Sequence, residues 1–218
     1  LEWLASGHDA LVRVNAPGTT WHSGELAALA ATRATVMIPK AESASALAAA
    51  HAVVGARIVA LVETASGLRE ADQVCSAPGV VRIALGNVDL AVELGVDSSS
   101  HRALAYARGR LVAASAAAGL APPIDGVTTA FDSPEVLSAD LEVTRELGFG
   151  GKLCIHPRQV DPVNIALSPT PEELSWAHRV VAAGSDTAVG VLDGAMVDAP
   201  VVARARQLIA RGSAARDE

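Results

Sequence analysis

With 218 residues, half of them hydrophobic, the chain can bury one large core, and a single α/β domain of this size is ordinary. Its net charge of −7 argues against nucleic acid or an anionic membrane as a bulk partner. Three Trp, one Tyr and two Phe leave little material for base stacking.

Short apolar runs alternate along the chain with Ala-rich stretches of helical period. Residues 1–9 read as a helix leading into a strand over 10–14, and a helix over 23–31 follows. Further strands are predicted over 35–38, 58–62, 80–85, 124–127 and 152–155, with helices over 43–50, 67–75, 99–118 and 134–147 between them. Asp132 or Ser133 is placed to cap the last of these, which opens on Pro134 and stops at Gly148. Pro171, Glu172 and Glu173 open another helix. Residues 184–198 read as loop and short extended structure, and 199–211 as a final helix.

Two cysteines, Cys75 and Cys154, are too few for a disulfide framework, and each has apolar neighbours as a buried thiol would. A cytoplasmic setting is expected. The most apolar long window, 111–122, is too short to span a bilayer, and no secretory signal is visible. A start at Leu1 rather than methionine suggests a piece of a longer gene product.

The strands are continuous apolar runs, as a parallel sheet covered on both faces requires. Either an open doubly wound sheet or a closed (β/α)8 barrel supplies that. No G-x-G-x-x-G follows a strand, which removes the usual mark of the nucleotide-binding open sheet. Arg13, Asn15, Lys40, Glu63 and Asp89 instead fall at or just after strand C-terminal ends, the rim where barrel enzymes place their chemistry.

Glu63 and Asp89 end adjacent strands and form a plausible Mg²⁺ site, since that ion takes one or two carboxylates and leaves other positions to water and substrate. The alternative is that each acid caps the helix after its strand. Arg13 interrupts an apolar strand, so it is expected to be buried with an anionic partner, either a substrate carboxylate or a structural acid. Lys40 invites a Schiff-base reading, but its place after Pro39 favours surface pairing or support of the site. His156 could act as a base or simply pack before Pro157. The remaining histidines show no ligand spacing. Ser98, Ser99 and Ser100 are expected to cap the next helix, although such a start can also bind phosphate.

The segments VRVNAPGT, VMIPKAES, ALVETASGL, LGNVDLAVELG, GFGGKLCIHPRQV and DGAMVDAP occur in order across nearly the whole chain. Through them the sequence resembles the citrate lyase beta subunit family, Mg²⁺-dependent acyl-CoA lyases that include citryl-CoA, malyl-CoA and citramalyl-CoA lyases. The resemblance implies a (β/α)8 TIM barrel over 1–183 and a C-terminal lid segment and helix over 184–218. It implies Glu63 and Asp89 as Mg²⁺ ligands, with Val88 beside them at the substrate and Arg13 as the substrate-binding arginine. Asp198 then matches a catalytic aspartate that a neighbouring subunit supplies from its lid; the alternative is a helix N-cap, since Ala199 and Pro200 follow it. Ile155, His156 and Pro157 resemble part of the CoA-binding surface. The implied assembly is a homo-oligomer, a trimer or a dimer of trimers. The implied reaction cleaves a 3-hydroxyacyl thioester into a keto acid and an acyl-CoA, with no organic cofactor beyond the substrate's CoA.

Two departures stand out. Many relatives carry Glu where this chain has Val88. The family also begins with two strands, the second bearing an acidic rim segment, that nothing here matches, so the barrel is expected to be N-terminally incomplete, with six of eight strands. Competing readings are a class II pyruvate-type aldolase acting on free keto acids and a lapsed, lyase-like binding subunit.

Overall fold

The structure is a computed structural model describing residues 2–32, 34–183, 190–192 and 194–214. It divides into two compact units, residues 1–160 and 161–218. In the first, β1 (Leu11–Arg13), β2 (Thr35–Ile38), β3 (Ile58–Val62), β4 (Val80–Leu85), β5 (Ile124–Asp125) and β6 (Gly151–Lys152) form one sheet. Every neighbouring pair is parallel, and strand order follows chain order from β1 to β6. A doubly wound sheet reverses its order at a switch point. This one never does, which is the arrangement of a barrel wall.

Between the strands lie α1 (Glu2–Ala5), α2 (His22–Leu29), α3 (Ala44–Val54), α4 (Ala65–Arg69), α5 (Ala71–Cys75), α6 (Asn87–Leu94), α7 (Ala105–Ala117) and α8 (Pro134–Glu146). Alternate strand residues sort into two cores, as the two-residue period of a strand dictates. Val36, Ile38, Ile58, Ala60, Val62, Ile83 and Leu85 pack with the helix residues Leu47, Val54, Val74 and Leu111. Met37, Val59, Leu61 and Ala84 form a separate inner cluster, joined by Ile124 and Leu153. All five residues of β3 are buried, so both faces of the sheet are covered.

Strands β2, β3 and β4 have the expected bounds, whereas β5 and β6 are shorter. After Asp125, side chains rather than a neighbouring strand engage the backbone. The carbonyl of Gly126 accepts from Lys152, both polar groups of Val127 bond Asn87, and the carbonyl of Thr128 accepts from Gln159. After β6, the Ile155 N–H goes to Gln159 Oε1 at 3.0 Å. The expected helix over 67–75 breaks at Glu70 into α4 and α5, and that over 99–118 begins only at Ala105 because residues 98–104 form turns. Ser100 caps one of those turns, its Oγ accepting from Ala103 N–H at 3.2 Å. Ser133 precedes Pro134 but makes no side-chain cap. The expected helix over 1–9 is a single turn, α1.

The second unit holds α9 (Val160–Leu167, which begins at the boundary), α10 (Pro171–Ala183), an antiparallel hairpin of β7 (Gly190–Leu192) and β8 (Ala195–Val197), and α11 (Ala199–Ala214). Ala177, Val180, Val197, Val202 and Ala205 form its core. Sequence reading missed α9 and the 3₁₀ turn Pro157–Gln159 before it. Among the described residues no helix is long and apolar enough to cross a membrane.

The two thiols differ, contrary to expectation: Cys75 is buried and Cys154 exposed. Burial and, secondarily, the Asp72 charge push the Cys75 thiol up to about 11. A disulfide reagent at mildly alkaline pH is therefore expected to label one thiol per folded chain and two after denaturation. Labelling of Cys75 at the rate of Cys154 in the native protein would contradict this packing.

Candidate active site

Side-chain alternation places Glu63. Val59 and Leu61 of β3 face the inner cluster, and Glu63 continues that row one step past the strand. On β1, Val12 packs against the outer core, which leaves Arg13 on the inner parity, in register with Met37. Strand geometry thus aims Arg13 and Glu63 at the same side of the same rim.

Glu63 is 5% exposed, and its Oε1 accepts the Lys40 main-chain N–H at 3.0 Å. It does not cap the following helix. Thr64 does so, its Oγ1 accepting from Gly67 N–H at 3.0 Å, while Glu93 takes the Ala65 N–H at 3.1 Å. The capping alternative for Glu63 therefore fails. Burial raises its pKa above the ordinary carboxylate value; the Lys40 N–H opposes this, the Asp89 charge reinforces it, and the charges of Arg13 and Lys40 oppose it.

Asp89 lies in the first turn of α6 and is exposed, as is Val88 before it. The helix has Gly86 at its N-cap and no side-chain cap, so Asp89 is not consumed there either. Arg13 departs from expectation. It is exposed rather than buried because β1 lies at one edge of the described sheet, and it forms no ion pair among the described residues.

Ile155, His156 and Pro157 follow β6 at the same C-terminal edge of the sheet. Ile155 is exposed, and His156 Nδ1 accepts the Arg158 N–H at 3.2 Å while its ring stacks on Phe131 with centroids 5.2 Å apart. Asp198 belongs to the second unit. There it caps α11: Oδ1 accepts from Val201 N–H at 3.2 Å, as the helix-cap alternative requires.

Several supporting residues went unread in the sequence. A Cβ on Gly86 would stand 2.3 Å from Glu63 Cβ and 2.8 Å from its Oε2, so glycine makes room for the acid. Asn87 is buried and ties α6 to the chain after β5, accepting from Val127 N–H at 2.8 Å and donating to its carbonyl at 3.1 Å. Gly126 leaves space for that amide. Behind the sheet, buried Arg108 donates from Nε to Asp125 Oδ1 at 2.9 Å, Thr144 donates to Oδ2 at 2.7 Å, and Lys152 donates to the Gly126 carbonyl at 2.8 Å.

Comparison with known proteins fits this arrangement. Residues 2–157 match the HpcH/HpaI aldolase/citrate lyase family. The chain belongs to that family. A (3S)-malyl-CoA thioesterase of Cereibacter sphaeroides is 36% identical over 98% of this chain and 78% of its own length. A citrate lyase subunit beta-like protein of Mycobacterium tuberculosis is 35% identical over 95% of this chain and 78% of its own. Among solved structures, CitE of M. tuberculosis, in complex with magnesium, acetoacetate and coenzyme A, superposes with a TM-score of 0.77 at 34% identity, covering 93% of this chain and 78% of CitE. The family resemblance drawn from the six segments is thereby established, and the six-stranded parallel sheet matches TIM-barrel-type structures of the CitE kind.

The two carboxylates can be compared with the needs of magnesium, the ion bound in the CitE complex. No cluster of three or more His, Cys, Asp or Glu side chains is placed to hold a metal among the described residues. A pair of carboxylates beside a solvent-facing rim, one held by a main-chain N–H, suits Mg²⁺, which keeps waters and substrate oxygens in its other positions.

Proposed function

We propose that this chain is an Mg²⁺-dependent acyl-CoA carbon–carbon lyase, cleaving a 3-hydroxyacyl-CoA of citryl-CoA or malyl-CoA type into an acyl-CoA and a keto acid. The observation that carries this reading is a buried carboxylate, Glu63, set on the inner side of the strand rim, unused for capping, held at Oε1 by the Lys40 N–H, with Arg13 on the same parity of that rim. Glu63 and Asp89 hold the Mg²⁺, which when bound supplies Lewis-acid stabilisation of negative charge on substrate oxygens.

Arg13 presents a planar donor fork to the substrate carboxylate. Val88 and Asp89, in the first turn of α6, add N–H groups without intrahelical acceptors. The turn Ile155–His156–Pro157 receives the CoA. In the reaction the bond between the α-carbon and the hydroxyl-bearing carbon breaks. The hydroxyl proton leaves, its oxygen forms the keto carbonyl, and the bonding pair becomes a thioester enolate that is protonated at the α-carbon. Proton transfer is assigned to Asp198 Oδ2, since the helix cap occupies Oδ1. In this reading residues 184–218, of which 184–189, 193 and 215–218 lie outside the described residues, belong to a lid supplied by a neighbouring copy in a homotrimer or dimer of trimers, and closure excludes water from the enolate.

The malyl-CoA thioesterase relative favours a second outcome, in which water attacks the thioester carbonyl and free CoA thiol departs. Product analysis separates the two. Malyl-CoA, citramalyl-CoA, citryl-CoA and a free 4-hydroxy-2-keto acid would each be incubated with protein and Mg²⁺, and keto acid, acyl-CoA and free thiol quantified. Equal keto acid and acyl-CoA without thiol supports the lyase; thiol with intact hydroxy acid supports the thioesterase. Cleavage of free hydroxy keto acids alone would mean an aldolase, and no turnover at all would overturn the enzymatic reading.

Asp198→Ala is expected to cost about 1 kcal/mol of stability through the lost cap, and turnover by orders of magnitude if the proton assignment holds. Mixing it with inactive Glu63→Gln should restore activity as subunits exchange. Proven exchange without recovery would refute the shared site.

A further inference from the structure

Among the described residues one non-glycine residue, Lys40, has a left-handed backbone, with φ of 48°. Side chains other than those of Gly, Asn and Asp rarely adopt that conformation, and such outliers persist where the surroundings over-determine them. Its surroundings do so. The Lys40 N–H donates to Glu63 Oε1, and the next N–H, of Ala41, donates to the Leu61 carbonyl at 3.1 Å. The Ala41 carbonyl in turn sits 2.5 Å from where a Cβ of Gly67 would stand, at the start of α4. The chain leaving β2 is pinned on β3 at two successive N–H groups, the first of them on the buried acid.

We propose that Lys40 is a positioning residue for Glu63, acting through its main-chain N–H in a left-handed conformation rather than through its side chain as a nucleophile. The bond fixes Oε1, so the carboxylate enters any metal site with one oxygen already oriented. Lys40 is exposed, which suits a residue acting through its backbone rather than through imine chemistry. This rests on Glu63 as a metal ligand, but the backbone role itself does not.

A substitution series at position 40 separates backbone from charge, with Mg²⁺ affinity measured by calorimetry on the full chain. Lys40→Gly and Lys40→Asn tolerate the left-handed conformation without the charge, and are expected to bind Mg²⁺ within about threefold of the parent. Lys40→Val disfavours that conformation and should weaken binding by about tenfold or more. Equal weakening in Gly, Asn and Val would assign the effect to the ammonium and overturn the inference. An unweakened Val variant would overturn it as well. Amide hydrogen exchange covers the case in which the Val variant does not fold. The Lys40 amide should be protected in the parent and lose at least about tenfold of that protection in Glu63→Ala. An amide exchanging equally fast in both proteins sinks the proposal. Absence of Mg²⁺ binding by the parent, or no change in Glu63→Gln, would sink the metal reading while the exchange result still decides the role of Lys40.

Discussion

Asp125→Ala is expected to destabilise the first unit by about 3–5 kcal/mol, the usual cost of removing one partner from a buried ion pair. Asp125 is 1% exposed and Arg108 3%. Oδ1 of the acid accepts from Arg108 Nε at 2.9 Å and from Gly126 N–H at 2.8 Å, while Oδ2 accepts from Thr144 Oγ1 at 2.7 Å. Alanine would strand a guanidinium whose Nη1 already lacks a hydrogen-bond partner among the described residues. It would also remove the larger of the two carboxylate charges, the other being Asp140, that offset desolvation of Lys152, whose pKa burial lowers. Urea unfolding followed by circular dichroism gives the check, with Thr144→Val as the milder variant at about 1 kcal/mol. A loss below about 1 kcal/mol for Asp125→Ala would mean that water reaches the pair.

What the sequence could reveal depended on whether the cause of a feature lay nearby in the chain. Glu63 was legible because five apolar residues ending on a carboxylate form a local contrast, and the two-residue period then sets its face. Asp89 was expected to end a strand, but β4 stops at Leu85 and the chain turns into α6 at Asn87, so the acid lies in that helix's first turn. Arg13 was placed on the right rim but given the wrong environment, since an apolar strand suggests burial while the exposure of β1 depends on what lies beside it in the sheet. Asp125 was read as one more strand residue because its partners come from α7 and α8, distant in sequence. The predicted strands over 124–127 and 152–155 overran because hydrophobicity does not show that Asn87, Lys152 and Gln159 take over the backbone hydrogen bonds there.

Gly86→Ala is expected to damage the candidate site most while leaving the fold standing. Gly86 follows β4, two residues beyond Ala84 of the inner cluster, so a side chain there points where Glu63 already sits. The added methyl would meet Glu63 Cβ at 2.3 Å and Cα at 3.3 Å, atoms close to the backbone that cannot swing aside as a flexible side-chain end could. The ends of β3 and β4 must separate, although the Gly86 N–H is bonded to the Val62 carbonyl at 2.9 Å. Overpacking of this kind costs about 1–3 kcal/mol. Because the displaced group is the carboxylate itself, Mg²⁺ affinity should fall about tenfold or more, the equivalent of about 1.4 kcal/mol in binding. Gly109→Ala in α7 is the matched control. Among the described residues nothing beyond its chain neighbours and the helix's own backbone lies within 4 Å of where its methyl would stand, and alanine in a helix is favoured over glycine by up to about 1 kcal/mol, so that variant should gain stability and bind metal as the parent does. If Gly86→Ala kept both the parent's unfolding midpoint and its Mg²⁺ affinity, Glu63 could not be held where the structure puts it.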